Sequence, residues 1–253
     1  MSELDLFDAL LLTWFGLGAI TAIALFFITA PYGRHARAGF GPTVPSSLGW
    51  LLMEAPAALL PALFFVTGTR MNNAIAWCFL AAWELHYVYR AFVFPFLGRG
   101  GGRPMPLSIV ASALFFNCVN GYLNGRWLFA LADPYPTAWF LDARFILGIT
   151  LFLVGFAVHV HSDHILRRLR APGETGYKVP QGGLFRFVSS PNYLGEIVEW
   201  SGWALMTWCL PTLAFTYWTA ANLLPRALSN HSWYRDHFPD YPTERRALIP
   251  FIY

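Results

Sequence analysis

An all-α, polytopic integral membrane protein with seven transmembrane helices, its N-terminus outside and its C-terminus cytoplasmic, is the architecture the sequence predicts. Three observations lead there. Hydrophobic residues make up 56% of the 253 residues and charged residues 12%, where a soluble domain is about a quarter charged. Apolar runs recur at close to the ~20 residues that a helix needs to cross a bilayer. Basic residues fall almost entirely on one side of those runs, which sets orientation.

The spans follow in order. Residues 9–30 carry no charge, and 47–68 are broken only by Glu54, Pro56 and Pro61. Further spans are expected at 73–96, 106–123 and 145–166, the last ending in a polar cluster. Residues 193–228 are too long for one crossing at about 1.5 Å per residue, so they divide at Pro211 into 193–210 and 212–228. With the N-terminus outside, the inner segments hold Arg34, Arg37, Arg99, Arg103, Arg167, Arg168, Arg170, Lys178, Arg186, Arg235, Arg245 and Arg246. The outer loops hold only Arg70, Arg126 and Arg144. Residues 1–253 therefore read as a single seven-helix membrane domain, without internal repeats.

Composition also excludes. A formal charge of +3, dispersed along the chain, does not suit nucleic acid. Cys78, Cys118 and Cys209 sit in apolar runs without CxxC spacing, so no disulfide framework or zinc site is expected. The N-terminus is acidic (Glu3, Asp5, Asp8), unlike a cleavable signal peptide.

Ionisable groups at membrane depth are costly and so mark candidate function. Glu54 follows Trp50-Leu51-Leu52-Met53, and Tyr87 lies among Glu84, His86 and Arg90. A carboxylic acid kept neutral by its apolar surroundings could donate to a tyrosine that polarises a substrate carbonyl. The plainer alternative pairs Glu54 or Glu84 with Arg90, and for Glu84 that alternative is favoured. A second cluster holds His159, His161, Asp163 and His164. His159 and His161 would point to different faces of the helix, which suits chelation badly, and no metal is expected. Ser190-Pro191 suits a capped helix start, but capping does not explain Glu199, about two turns further on. Asn192 and Glu196 share that helix face. Asn222, Arg226, Asn230 and Tyr234, four residues apart, form a stripe suited to a phosphate-bearing ligand. Gly98 to Gly102 is a basic glycine-rich turn without a preceding strand, so not a phosphate loop. Asn117, Asn120 and Asn124 form a further stripe that interhelical hydrogen bonding would explain.

Several motifs together resemble the steroid 5α-reductases. They are Gly182-Gly183-Leu184-Phe185, Ser190-Pro191-Asn192-Tyr193-Leu194-Gly195-Glu196-Ile197-Val198-Glu199-Trp200, His161-Ser162-Asp163, Pro172-Gly173-Glu174, and the tail from Tyr241-Pro242 to Pro250-Phe251. Pro31-Tyr32-Gly33, Glu54 and Leu85-His86-Tyr87 with Arg90 extend the likeness through the N-terminal half. It is nearest the type 2 enzymes, and the composition suggests a bacterial member. The resemblance implies NADPH-dependent reduction of the Δ4 bond of a 3-oxo-Δ4 steroid, with hydride delivered to C5. It implies Glu54 and Tyr87 as the carbonyl-polarising pair and Trp50 and Trp200 as walls of the steroid slot. Asn192 and Glu196 would hold the nicotinamide end. Asp163, Arg170, Tyr177, Arg226, Tyr234 and Arg245 would hold ribose, phosphates and adenine. Asn230 joins the cofactor set through the stripe it shares with Arg226, and residues 145–253 would carry most of that site. Where the family often has a histidine-rich run after the arginine of the seventh span, this chain has Ser229-Asn230-His231. Partners expected are a steroid-like lipid and the membrane, with a monomeric chain. The membrane would be the bacterial cytoplasmic membrane, or the endoplasmic reticulum in a eukaryote. The alternatives are reduction of another lipid enone, enoyl or polyprenol substrate, and an isoprenylcysteine-type methyl transfer. A transporter would need paired half-helices and a repeat, and the sequence shows neither.

Overall fold

The computed structural model describes residues 2–97, 104–171, 174 and 176–253. The glycine-rich turn at Gly98 to Gly102, with Arg103 and the Pro172-Gly173 pair, lies outside the described residues. Seven α-helices occur among the described residues: α1 (Glu3–Phe27), α2 (Ser46–Thr67), α3 (Ala74–Val88), α4 (Leu107–Arg126), α5 (Ala143–Arg168), α6 (Pro191–Thr207) and α7 (Leu210–His237). Two-residue strands, β1 (Thr43–Val44) and β2 (Met105–Pro106), pair antiparallel ahead of α2 and α4.

Four helices are long and apolar enough to cross a membrane: α1, α2, α5, and α4 taken with the π-helical turn Trp127–Leu131 that continues it. The reasons the others fall short are visible in their residues. α3 and α6 are brief, with 15 and 17 residues, and α7 carries the polar stripe. The expected break between the last two helices is present. Trp208 adopts the left-handed conformation (φ 48°) that ends α6, and Pro211 opens α7, where a missing N–H costs nothing.

Burial is inverted relative to a water-soluble protein. Leu12, Phe27 and Leu59 are exposed, whereas Asn117, Asn120, His159, Asp163 and Glu199 are buried. An exterior of this kind suits lipid, and polar groups at that depth then face protein.

The chain forms two compact units. Of the described residues, the first comprises 2–11, 31–97 and 104–145. Its centre is α2 against α4, and two glycines permit the approach: a Cβ on Gly121 would lie 3.2 Å from Leu60 Cβ, and one on Gly125 would lie 2.8 Å from Pro61 Cα. Pro61 lacks the N–H that would pair with the Ala57 carbonyl. The indole Nε1 of buried Trp83 on α3 donates to that oxygen instead, at 2.7 Å. Phe65 packs edge-on against Phe129 and Trp77.

Of the described residues, the second unit comprises 12–30, 146–171, 174 and 176–253. Here α5 and α6 run antiparallel with almost no side chains between them. Added Cβ atoms on Gly148 and Gly195 would lie 2.5 Å from the backbone nitrogens of Met206 and His159, and those on Gly155 and Gly202 would strike the backbone at Glu199 and Phe152. The spacing is seven residues on each helix, two turns, so the glycines stay in register along the seam. Phe152, Trp200, Trp203 and Phe215 form the adjoining aromatic core.

Candidate active site

In the first unit the polar centre is Glu54. Asn117 Nδ2 donates to its Oε2 at 3.0 Å and to the Met53 carbonyl at 2.6 Å. Arg90 Nε lies 3.8 Å from its Oε1. Asn117 thus donates to one carboxyl oxygen, and the Arg90 guanidinium faces the other. The surroundings are more polar than the apolar pocket expected from the flanking residues. Arg90 rides on a π-helical turn, Tyr89–Val93, that follows α3 directly. Wider turns of this kind re-aim side chains and recur at functional sites. Its guanidinium carbon sits 4.2 Å from the Trp50 ring centroid and 4.7 Å from that of Phe94. Trp50 and Glu54 are one helical turn apart, so one arginine reads both.

Glu84, favoured from the sequence as the partner of Arg90, has no ion pair among the described residues, and its Oε1 is buried without a hydrogen bond there. The reason is directional: on α3 and the wider turn, Arg90 points toward α2 instead of back along its own helix. Tyr87 is 3% exposed and packs against Trp83 and His86 at ring separations of 4.8 and 4.9 Å.

The second unit holds the remaining candidates. His159 and Asp163 face inward on α5, while His161 and His164 are on its exposed side, as their differing helical directions required. His159 Nε2 is 3.4 Å from Asp163 Oδ2, and its Nδ1 is 3.5 Å from Glu199 Oε2. The other Asp163 oxygen accepts from Asn192 Nδ2 at 3.1 Å. Glu196, one turn before Glu199, is half-buried on α6. Ser190 occupies the N-cap position of α6 with Pro191 following, but its hydroxyl caps nothing. Instead its Oγ lies 3.5 Å from Asn230 Nδ2, because the loop turns it toward α7.

The stripe on α7 holds together on one face. Arg226 Nε donates to Tyr193 Oη at 2.8 Å. Tyr234 is buried and stacks on Tyr241 with ring centroids 5.3 Å apart. Arg170 lies over Tyr177, whose ring packs edge-on against Trp233. Arg245 is 2% exposed, donating to the Pro180 carbonyl and to Gln181 Oε1, and its Nε has no hydrogen-bond partner among the described residues. A buried guanidinium with a donor to spare suits an anionic ligand. Trp200, expected as a wall of the steroid slot, is 1% exposed and packs against Phe152, Trp203 and Phe215.

The tail is tied to the loop before α6. Val188 and Arg246 form a parallel bridge, and Ser189 Oγ contacts His231 Nδ1 and Tyr241 Oη, each at 2.6 Å. His231, in place of a histidine run, is thus a fastener between α7 and that loop. Gly182 and Gly183 turn into the loop with φ of 86° and 50°, and a Cβ on Gly183 would also press 2.8 Å from His161.

Sequence reasoning noted Asn117 only as part of a stripe, and found Glu199 without finding its partner. Both signals were present as buried polar types in apolar runs; the helix contacts that pair them were not.

Comparison with known proteins converges on one family. The family model described as 3-oxo-5-alpha-steroid 4-dehydrogenase matches residues 103–253. The chain is 42% identical to 3-oxo-5-alpha-steroid 4-dehydrogenase 1 of Bos taurus over 256 aligned positions, covering 100% of this chain and 99% of that protein. It is also 42% identical to steroid 5-alpha-reductase DET2 of Gossypium hirsutum at the same coverage. Identity is 41% to the Rattus norvegicus 3-oxo-5-alpha-steroid 4-dehydrogenase 1, over 100% of this chain and 97% of the other.

Proposed function

Because the chain belongs to the 3-oxo-5-alpha-steroid 4-dehydrogenase family, we propose that it reduces the Δ4 double bond of 3-oxo-Δ4 steroids to give 5α-dihydrosteroids, with NADPH as reductant. The observation that carries this is identity of about two residues in five over essentially the whole length of relatives named for that activity.

Glu54 and Tyr87 polarise the C3 carbonyl. Tyr87 presents its phenol as donor to that oxygen, and Glu54, held by Asn117, acts with it as a neutral acid. NADPH, when bound, supplies a hydride to C5, and C4 takes up a proton. Trp50, stacked on Arg90, and Trp200 are the walls of the steroid slot. Asn192 and Glu196 hold the nicotinamide end. Asp163, Arg170, Tyr177, Arg226, Asn230, Tyr234 and Arg245 hold the ribose, phosphates and adenine, so that residues 145–253 carry most of the cofactor site. The rings of Tyr177 and Tyr234 and the buried Arg245 support this half of the reading. The whole chain acts as one monomeric membrane domain with all seven helices spanning and the C-terminus cytoplasmic. The basic asymmetry of its loops supports that orientation.

The test is NADPH oxidation by purified protein offered progesterone or testosterone, against an enoyl-CoA and a polyprenol enone. Steroid-dependent oxidation is expected. Glu54→Gln and Tyr87→Phe should each lower turnover about 100-fold, as removal of one carbonyl-stabilising donor does elsewhere, with NADPH affinity little changed. Turnover only on the enoyl-CoA or polyprenol would replace the steroid assignment.

A further inference from the structure

We propose that His159 and Glu199 are positioning residues of the dinucleotide site, acting through Asp163 on Asn192. This rests on the reading of Asp163 and Asn192 as cofactor residues, and adds two residues which that reading leaves without a task.

The three ionisable side chains are among the most buried polar groups of their unit: Glu199 is 0%, His159 1% and Asp163 5% exposed. Each ring nitrogen of His159 faces a carboxylate oxygen, Asp163 Oδ2 on one side and Glu199 Oε2 on the other. A carboxylate can only accept, and a neutral imidazole carries only one N–H. Both contacts are donor-to-acceptor when the ring carries both protons. One cation between two anions then leaves the trio with one net negative charge. Without the ring, two carboxylates would share a low-dielectric space, the arrangement that raises the cost of charge most steeply.

The direction of the effect follows from connectivity. Asp163 has two oxygens. One is occupied by His159, so the other is left in a fixed place to accept from Asn192 Nδ2. An Asn192 amide held in this way keeps its own carbonyl and second N–H in one orientation. A ligand carboxamide, which needs one donor and one acceptor, could use both. The separations of 3.4 and 3.5 Å around His159 are longer than a tight charge-assisted contact, and such contacts shorten once a ligand is seated.

Backbone packing brings the two helices together at this point. Gly195 on α6 lies where an added Cβ would be 2.5 Å from His159 N, and one on Gly155 would strike the Glu199 backbone. Each glycine therefore sits opposite the residue whose partner it admits. Helix approach at these points, and not side-chain reach, brings a histidine and a glutamate from different helices together.

The experiment measures NADPH binding to the purified full-length chain by energy transfer from tryptophan to the bound nicotinamide, with KM and kcat alongside. His159→Gln and Glu199→Gln should each weaken NADPH binding about tenfold, the scale of one charge-assisted contact, and raise KM for NADPH with a much smaller fall in kcat. In an Asp163→Asn background the same substitutions should change affinity less than about twofold, because coupled residues are not additive. Unchanged affinity in both single variants, or equal further losses in the Asp163→Asn background, overturns the inference. Should His159→Gln fail to fold, the isosteric Glu199→Gln decides alone. If Asp163→Asn binds NADPH as tightly as the unaltered chain, the cofactor reading itself falls. If Asp163→Asn weakens binding while His159→Gln and Glu199→Gln do not, only this inference falls.

Discussion

Glu54 in the first unit and Glu199 in the second are both acids well inside apolar helices, yet they are accommodated by different means. Around Glu54 the helices are irregular. Two prolines interrupt α2, a π-helical turn carries Arg90, and neutral Asn117 reaches across from α4. Around Glu199 the helices are regular and unusually close, and its neighbour is a histidine shared with a second acid. The first arrangement is made by long side chains, Asn117 and Arg90, which can adjust. The second has no such slack, because backbone meets backbone. Sensitivity to substitution should therefore differ sharply between the units even where burial is the same.

The largest expected effect tests that contrast directly. Gly155→Val or Gly195→Val must push α5 away from α6, and overpacking of a tight seam typically costs about 1–3 kcal/mol or more. Apparent melting temperature in detergent should fall and NADPH binding should be lost. In the first unit, Gly121→Ala would bring a methyl 3.2 Å from Leu60 Cβ and 3.4 Å from its Cδ1, with the nearest α2 backbone atom at 3.6 Å, and should shift melting much less. Equal damage at Gly121 and Gly155 would erase the distinction between an adjustable and a rigid seam.

A smaller effect probes the first unit alone. Asn117→Leu removes the donor to Glu54 and leaves the Met53 carbonyl without that partner. A buried group stripped of its donor costs about 1–3 kcal/mol, so turnover with steroid should fall roughly tenfold to 100-fold. NADPH affinity should be unaffected, since every candidate cofactor residue lies in the other unit. A parallel loss of NADPH binding would show that the two polar centres are not energetically separate.

What could be read from the chain beforehand tracks the range of the interaction. Apolar runs locate α1, α2 and α5 because hydropathy is a local property, and Pro211 marks the division of α6 from α7 because a missing N–H acts on its own helix. The opposed faces of His159 and His161 also follow from helical geometry alone. Longer-range facts were not legible. Arg90 turns to Glu54 instead of Glu84 because a wider turn re-aims it. Ser190 leaves its cap for Asn230 because a loop packs there. His159 meets Glu199 through glycines whose seven-residue spacing, Gly148 with Gly155 and Gly195 with Gly202, can be seen in the sequence but gains meaning only when the helices are laid together.

The smallest expected effect lies at the rim of the second unit, where polar contacts are exposed instead of buried. Glu174 accepts from Lys178 Nζ at 2.8 Å and from the Ala171 N–H at 3.0 Å, spanning the loop between Arg170 and Tyr177. The Lys178 ammonium, followed by that backbone donor, holds its carboxyl below the usual range. A lowered value means the contact stabilises the loop above the ordinary carboxylate pKa and is lost as pH falls through the folded one. Exposed pairs are worth little, so Glu174→Gln at neutral pH should raise KM for NADPH about twofold at most. Below the ordinary glutamate range, once pH has passed under that lowered value, the variant and the unaltered chain should converge. A Glu174→Gln defect as large as that of Glu199→Gln, or one that persists unchanged to low pH, would mean that exposed charge in this unit is as constrained as buried charge. The contrast would then lie between the units themselves and not between packed and solvated sites.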